Sequence, residues 1–250
     1  PITETIGKIL YVFVEMQIDV NHLVETIQMN FPDKNQEYHL LGTIQFNTAI
    51  FKKEKLAKQG YHKVTIPQEK PRSAGEVLGC TSPSLNDPSS PVIFVCDGRF
   101  HMESSMIANP QHTFYQYNPY SRELTINSTQ QGNDEKKALE IARAASGQLK
   151  KFAFIFGTLG RQGNLGILNR MKERVPTTYS YFVLLVSEVN DHLLTLLKDQ
   201  VDFFVQVSCP RLSIDWGYKS PKPLLAPYEF FVLAGAIEWR ATYPMDYYSN

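Results

Sequence analysis

Cysteine is scarce in this chain: 250 residues carry three, at positions 80, 96 and 209. The odd number and wide spacing exclude a disulfide scaffold and predict a reducing, intracellular setting. No CxxC pair is present, so a four-thiolate zinc site is excluded, and two cysteines alone cannot hold an iron–sulfur cluster. Neither sign of charge is in excess, with 25 Lys plus Arg against 25 Asp plus Glu. No global basic field therefore draws nucleic acid, and no acidic tail argues for disorder, although a local basic patch stays open. No apolar run approaches the roughly 20 residues needed to span a bilayer. The opening "PITETIGKILYVFVEM" has an apolar run but no basic leader and no small-residue cleavage pattern. It starts without methionine and directly before a strand-like run, which predicts a fragment lacking an upstream segment. No GxxxxGK[ST] occurs, no GxGxxG stands in register, and no Ser/His/Asp order or Cys/His spacing speaks for hydrolysis.

What is present is an ordinary globular composition, 43% hydrophobic and 20% charged. The length suits one large α/β domain or two of about 125 residues. "KILYVFVEM" at 8–16 reads as a buried strand, and "DVNHLVETIQMNF" at 19–31 as a helix. Asp19 suits its N-cap, and Leu23, Ile27 and Phe31 recur every four residues. A strand at 38–46, a helix ending at Gly60 and a strand at 61–67 follow. The stretch 68–90 is rich in Pro, Gly and Ser, and is followed by a strand at 91–98, a helix at 101–109 and a strand at 113–119. After a polar stretch at 126–134 the rhythm resumes: helix at 134–151, strand at 152–158, helix at 164–175, strand at 178–187, helix at 190–201, strand at 202–209. The expectation is an α/β chain of repeated domains, with mostly parallel sheets flanked by helices, dividing into residues 1–129 and 130–250.

Ligands of open parallel sheets gather beyond the carboxyl ends of strands, and Cys209 ends a predicted strand there. Pro210 disfavours helical geometry at the residue before it, so Cys209 is expected to be extended. Buried thiol and functional cysteine both remain open for it. The same holds for Cys80 in the irregular loop "EVLGCTSP", whereas Cys96, inside an apolar run, reads as packing. If Cys80 and Cys209 share a site, it lies between the two domains, and a third ligand must come from elsewhere. "FGTLGRQGNLG" at 156–166 follows a strand and resembles an anion-binding turn. Its candidates are Gly157, Gly160, Arg161, Gln162 and Gly163, with Arg161 suited to a carboxylate; a tight turn is the plain alternative. Asp97, Arg99, His101 and Glu103 crowd another strand end, either as part of a pocket or as a solvated turn with local ion pairs. His22 and His62 read as surface or packing histidines.

Taken together, "TIQF", "IPQEKPRSAGEVLGCTSP", "DGRFHMESSMIANP", "YNPYSRELT", "GTLGRQGN", "VSCPRLSIDWG", "PKPLLAPYE" and "YPMDYY" closely resemble the diphthamide-synthesis iron–sulfur protein family. The resemblance is to the first of its two eukaryotic subunits and covers essentially the whole chain. It implies three similar α/β domains around a [4Fe–4S] cluster, each giving one cysteine, of which two domains are present here. It further implies radical cleavage of the Cγ–S bond of S-adenosylmethionine. The 3-amino-3-carboxypropyl group then passes to a histidine of translation elongation factor 2, the first step of diphthamide formation. The implied partners are the second subunit of a heterodimer, the elongation factor and an electron-donor protein, in the cytoplasm, with no nucleic acid or membrane. On this resemblance Cys80 is the metal ligand of the middle domain and Cys209 that of the last, while Cys96 matches no ligand position. Three thiolates would leave one iron open to the methionine part of the cofactor. Arg161, its flanking glycines and Gln162, with Asp97, Arg99, His101 and Glu103, become the candidates for gripping that cofactor.

The family's first domain is not in this sequence, so the chain alone is expected to be inactive and its cluster labile or unformed. The segment 218–250 is expected to pack against that absent domain. The rivals are a quinolinate-synthase-like [4Fe–4S] dehydratase and a non-catalytic scaffold fragment or subunit.

Overall fold

In a computed structural model of the chain, residues 14–127, 140, 147, 150–159 and 163–245 are described. The chain divides into two compact units, Pro1–Thr129 and Gln130–Asn250.

Among the described residues, the first unit runs α1 (Val20–Asn30), β1 (Tyr38–Gly42), a 3-10 turn (Ile44–Phe46), α2 (Asn47–Phe51), α3 (Glu54–Lys58) and β2 (Val64–Thr65). It continues with β3 (Val92–Val95), α4 (Phe100–Ala108), β4 (Phe114–Asn118) and β5 (Glu123–Asn127). The sheet order is β2-β1-β3-β4-β5. The first four strands are parallel, and β5 returns antiparallel on β4. Successive residues of a strand face opposite sides of the sheet, and both sides are covered here. Leu40, Ile93, Val95 and Tyr117 pack with α1, α2 and α3 residues such as Leu23, Ile27, Ile50 and Leu56. Leu41, Val92, Phe94 and Phe114 pack with Met102 and Met106 of α4.

Asp19 starts α1 as expected, its Oδ1 accepting from the N–H groups of Asn21 at 3.1 Å and His22 at 3.2 Å. Gly60 ends the α3 region at φ +95°, in the left-handed region that glycine enters without strain. Several expectations needed correction. The strand expected at 38–46 stops at Gly42 and gives way to the 3-10 turn; a Cβ on Gly42 would lie 2.6 Å from the carbonyl oxygen of Val95 and 2.8 Å from Ile50 Cδ1, so the position takes glycine. The single helix expected up to Gly60 is two short helices. The strand expected at 61–67 pairs over only two residues, at the sheet edge. Strand β5 went unpredicted because its composition is polar; it forms as the return arm of a hairpin, in register from Phe114↔Asn127 to Asn118↔Glu123. Most of the strand expected at 8–16 and nearly all of the helix expected at 134–151 lie outside the described residues.

The second unit, among the described residues, runs β6 (Lys151–Gly157), α5 (Leu165–Lys172), β7 (Ser180–Val186), α6 (Asp191–Leu197) and β8 (Phe203–Val207). It ends with α7 (Pro210–Trp216), a 3-10 turn (Gly217–Lys219), β9 (Leu224–Leu225) and α8 (Pro227–Leu233). The sheet order β7-β6-β8-β9, all parallel, repeats the second-first-third-fourth order of the first unit. Phenylalanines dominate one face: the rings of Phe152 and Phe203 stack at 4.8 Å, and Phe230 of α8 meets Phe154 edge-on at 5.4 Å. Each such buried side chain contributes roughly 1.5–3 kcal/mol relative to exposure.

The stretch after Cys209 opens with a helix, with Pro210 at its first position, where the missing N–H costs nothing. Part of the segment 218–250 packs within this unit itself. Leu224, Leu225, Tyr228, Phe230, Phe231, Tyr243 and Met245 are buried in this unit's own fold. Glu229, fully buried, caps α8 by accepting from the N–H of Ala226 at 2.6 Å, and Tyr243 donates its hydroxyl to the other carboxylate oxygen at 3.2 Å. That carboxylate ties "LAPYE" to "YP" within one unit, as an apolar segment with a satisfied polar anchor demands.

Candidate functional site

In both units the strand order reverses between the first and third strands, and the crevice at the carboxyl ends of those strands is where such sheets take ligands. Each unit carries one partly exposed cysteine outside any disulfide near such an end.

In the first unit the chain passes beyond β1 by a short parallel extension. The N–H of Gly42 donates to the carbonyl of Gly75 at 2.8 Å, and that of Val77 to the carbonyl of Gly42 at 2.9 Å. Leu78 and Thr81 then exchange backbone hydrogen bonds at 3.2 and 3.0 Å, closing a two-residue hairpin with Gly79 and Cys80 at its tip. Gly79 has φ +59°. A positive φ at the first tip position is what a II′ turn requires, hence glycine before the cysteine. The N–H of Gly79 donates to the ring Nδ1 of His101 at 2.9 Å. Further along, Ser82 donates its hydroxyl to Ser105 Oγ at 2.8 Å, and Asn109 Oδ1 accepts from the N–H of Leu85 at 2.8 Å.

In the second unit Cys209 stands two residues past β8, as N-cap of α7, with the extended backbone expected of it (φ −111°, ψ 129°). Gln206 is fully buried in β8. Its amide donates to the carbonyl of Cys209 at 2.8 Å and to Ser213 Oγ at 3.0 Å, while its oxygen accepts from the N–H of Ser208 at 2.9 Å. Arg211, 1% exposed, pairs through Nε with both oxygens of Asp215 at 2.8 and 2.7 Å.

Cys96 differs from both. It is fully buried among Leu41, Val77, Phe94 and Met102. Burial, with a smaller contribution from the neighbouring Asp97, pushes its thiol up to about 12. It remains protonated and acts as a small apolar side chain.

The remaining candidates fall in three groups. Asp97 accepts a long hydrogen bond from Gln45 at 3.4 Å, and Arg99 pairs with Glu103 at 3.1 Å, one helical turn apart on an exposed face. His101 instead turns toward the cysteine hairpin. Gly157 closes β6 against Ser208, and a Cβ on Gly163 would collide with the carbonyl of Gly157 and the ring of Phe156. Both glycines therefore allow close backbone approach beneath the strand ends. Gly160, Arg161 and Gln162 lie outside the described residues.

The residues that steady the two cysteine turns, Ser105, Asn109 and Gln206, were missed in the sequence. The signal for two of them was there: His101, Ser105 and Asn109 recur every four residues and share a helix face. Gln206, alone in an apolar strand, gave no such sign.

Thiolates are the soft donors that iron–sulfur clusters take, and Cys80 and Cys209 fit that donor chemistry. No three His, Cys, Asp or Glu side chains converge among the described residues. No described helix is long and apolar enough to cross a membrane.

Comparisons with known proteins agree with this architecture. The 2-(3-amino-3-carboxypropyl)histidine synthase subunit 1 of Schizosaccharomyces pombe is 43% identical over 264 residues, covering all of this chain and 58% of that protein. The protein of the same name from Homo sapiens is 44% identical over 247 residues, 97% of this chain and 55% of that one. The chain thus spans less than two thirds of the length of either relative. The crystal structure of Dph2 from Pyrococcus horikoshii with a 4Fe-4S cluster superposes with a TM-score of 0.71 at 20% identity, over 92% of this chain and 67% of that one. The model of the diphthamide synthesis protein family matches residues 2–244, and with that match along nearly its whole length the chain belongs to the diphthamide synthesis protein family.

Proposed function

We propose that this chain is part of a 2-(3-amino-3-carboxypropyl)histidine synthase, the first subunit of a heterodimer, and that Cys80 and Cys209 are two of the ligands of its [4Fe–4S] cluster. The observation that carries the reading is the pair of cysteine turns. One thiol per unit lies beyond the carboxyl ends of parallel strands, partly exposed, with the backbone beside it held by a side chain of the same unit. When bound, the cluster supplies the electron that breaks the Cγ–S bond of S-adenosylmethionine, so that the 3-amino-3-carboxypropyl group passes to a histidine of translation elongation factor 2. The chain's own part is binding and orientation. Cys80 and Cys209 hold metal. Gly157, Gly160, Arg161, Gln162 and Gly163, with Asp97, Arg99 and Glu103, are the candidates for gripping the methionine or nucleoside part, the guanidinium of Arg161 being suited to the carboxylate. The second subunit, the elongation factor and an electron-donor protein are its partners in the cytoplasm.

Two thiolates are too few to keep a four-iron cluster, so the chain alone does not carry the reaction. Anaerobic reconstitution with counting of iron and sulfide checks this. A stable four-iron cluster together with stoichiometric transfer by the chain alone refutes it. In the full-length subunit paired with its partner, Cys80→Ser and Cys209→Ser are each expected to abolish transfer. Activity retained in either variant removes that cysteine from the ligand set.

A further inference from the structure

We propose that His101 is a positioning residue for Cys80, the end rung of a three-rung clamp that fixes the cysteine hairpin to α4. The inference deepens the proposed function and rests on Cys80 being a metal ligand. His101, Ser105 and Asn109 stand at i, i+4 and i+8, the spacing that puts side chains on one helix face. Their partners follow in order along the loop. Nδ1 of His101 accepts from the N–H of Gly79 at 2.9 Å, Ser105 Oγ from the hydroxyl of Ser82 at 2.8 Å, and Asn109 Oδ1 from the N–H of Leu85 at 2.8 Å. Asn109 also donates to the carbonyl of Pro83 at 3.0 Å.

The adjacent face of α4 anchors the clamp, since Met102 and Met106 are buried in the same apolar cluster as Cys96. The Gly79 N–H at the hairpin tip is not used by the Leu78–Thr81 pairing, and His101 fixes it one residue before the thiol. Because Nδ1 accepts, the ring proton of the neutral imidazole resides on Nε2. A ligand thiolate on a free two-residue tip would sample many directions; tied to the helix, it is held in one before metal arrives, which is the value of support behind a ligand.

Alkylation of the metal-free chain with iodoacetamide, followed residue by residue by peptide mass spectrometry, reads the clamp without any cluster. His101→Ala is expected to raise the rate at Cys80 roughly three- to tenfold, the population change that loss of one hydrogen bond permits. Cys209 should keep its rate and Cys96 should stay unreactive. His101→Asn places an oxygen where Nδ1 was and should restore the slow rate, whereas His101→Gln places it where Nε2 was and should not. An unchanged Cys80 rate in His101→Ala overturns the proposal. So do equal rates in the Asn and Gln variants, a comparison that decides the matter even where His101→Ala also exposes Cys96. In the full-length heterodimer, the cluster's absorbance should decay faster in His101→Ala than in His101→Asn; equal decay overturns the positioning role. If the alkylation pattern appears but the wild-type heterodimer binds no iron and sulfide, the iron–sulfur reading fails while the clamp on the hairpin stands.

Discussion

The buried amide of Gln206 donates to the backbone carbonyl of Cys209, 2.8 Å away and three residues along the chain. The same side chain also bonds Ser208 and Ser213, so one residue of β8 determines how the strand turns into α7. Gln206→Leu keeps the volume and removes every one of these bonds. It is expected to cost about 1–3 kcal/mol and to speed alkylation of Cys209 while leaving Cys80 unchanged. A native melting curve with an unaltered Cys209 rate would show that α7 alone sets this turn.

Gly157 lies under the same turn. A Cβ there would stand 2.8 Å from Ser208 Oγ and 3.0 Å from its Cβ, so Gly157→Ala should destabilise the unit by about 1–3 kcal/mol through overpacking. Adding Ser208→Gly removes the clashing atoms and should recover part of the loss. Purely additive effects in the double variant would place the strain elsewhere.

His39 and His112 form a buried pair in the first unit, with ring centroids 5.9 Å apart and His39 Nδ1 2.6 Å from Thr65 Oγ1. Burial is the largest influence on each and lowers both below the ordinary imidazole value of 6.5, opposed by Glu37 at His39 and by Asp87 at His112. The unfolded chain therefore binds protons that the folded chain refuses. Their contribution to stability is whole above about pH 6.5 and is lost as pH falls below it. Melting temperature should drop between pH 7 and pH 5, and His112→Phe should flatten that slope. A melting temperature independent of pH over this range contradicts the assignment.

Cys96 serves as a core side chain. Cys96→Ala removes one buried sulfur and should cost about 1 kcal/mol, the scale of a small core deletion, and under the proposed function it should leave iron binding through Cys80 and Cys209 unchanged. Loss of iron in this variant with normal stability would mean that Cys96 takes part in the metal site after all.

Much of the second unit was readable because its signals are local. "FAFIFGT", "YFVLLVS" and "DFFVQVS" are apolar runs of strand length, bounded by polar turns. The first unit was harder. In "YHLLGTIQF" the apolar residues continue past the strand into the 3-10 turn at Ile44–Phe46, and only the approach of Val95 and Ile50 to Gly42 shows why a glycine closes β1. Strand β5 is polar and exists because β4 offers it a ladder. "PRLSIDW" carried no expected element, and Pro210 stands at its helix start, where it stabilises rather than breaks.

The sequence by itself determined the α/β rhythm, the shortage of thiols and which cysteines stand beside strand ends, because periodicity, composition and strand boundaries are properties of neighbouring residues. Tertiary structure alone decided what holds those cysteines. His101 reaches Gly79 across 22 positions, and Leu41, Val77 and Met102 close over Cys96 from separate segments. Such approaches arise only when strands and helices distant in sequence pack against one another, which is why the sequence set the buried cysteine apart from the other two but did not show what holds each of them.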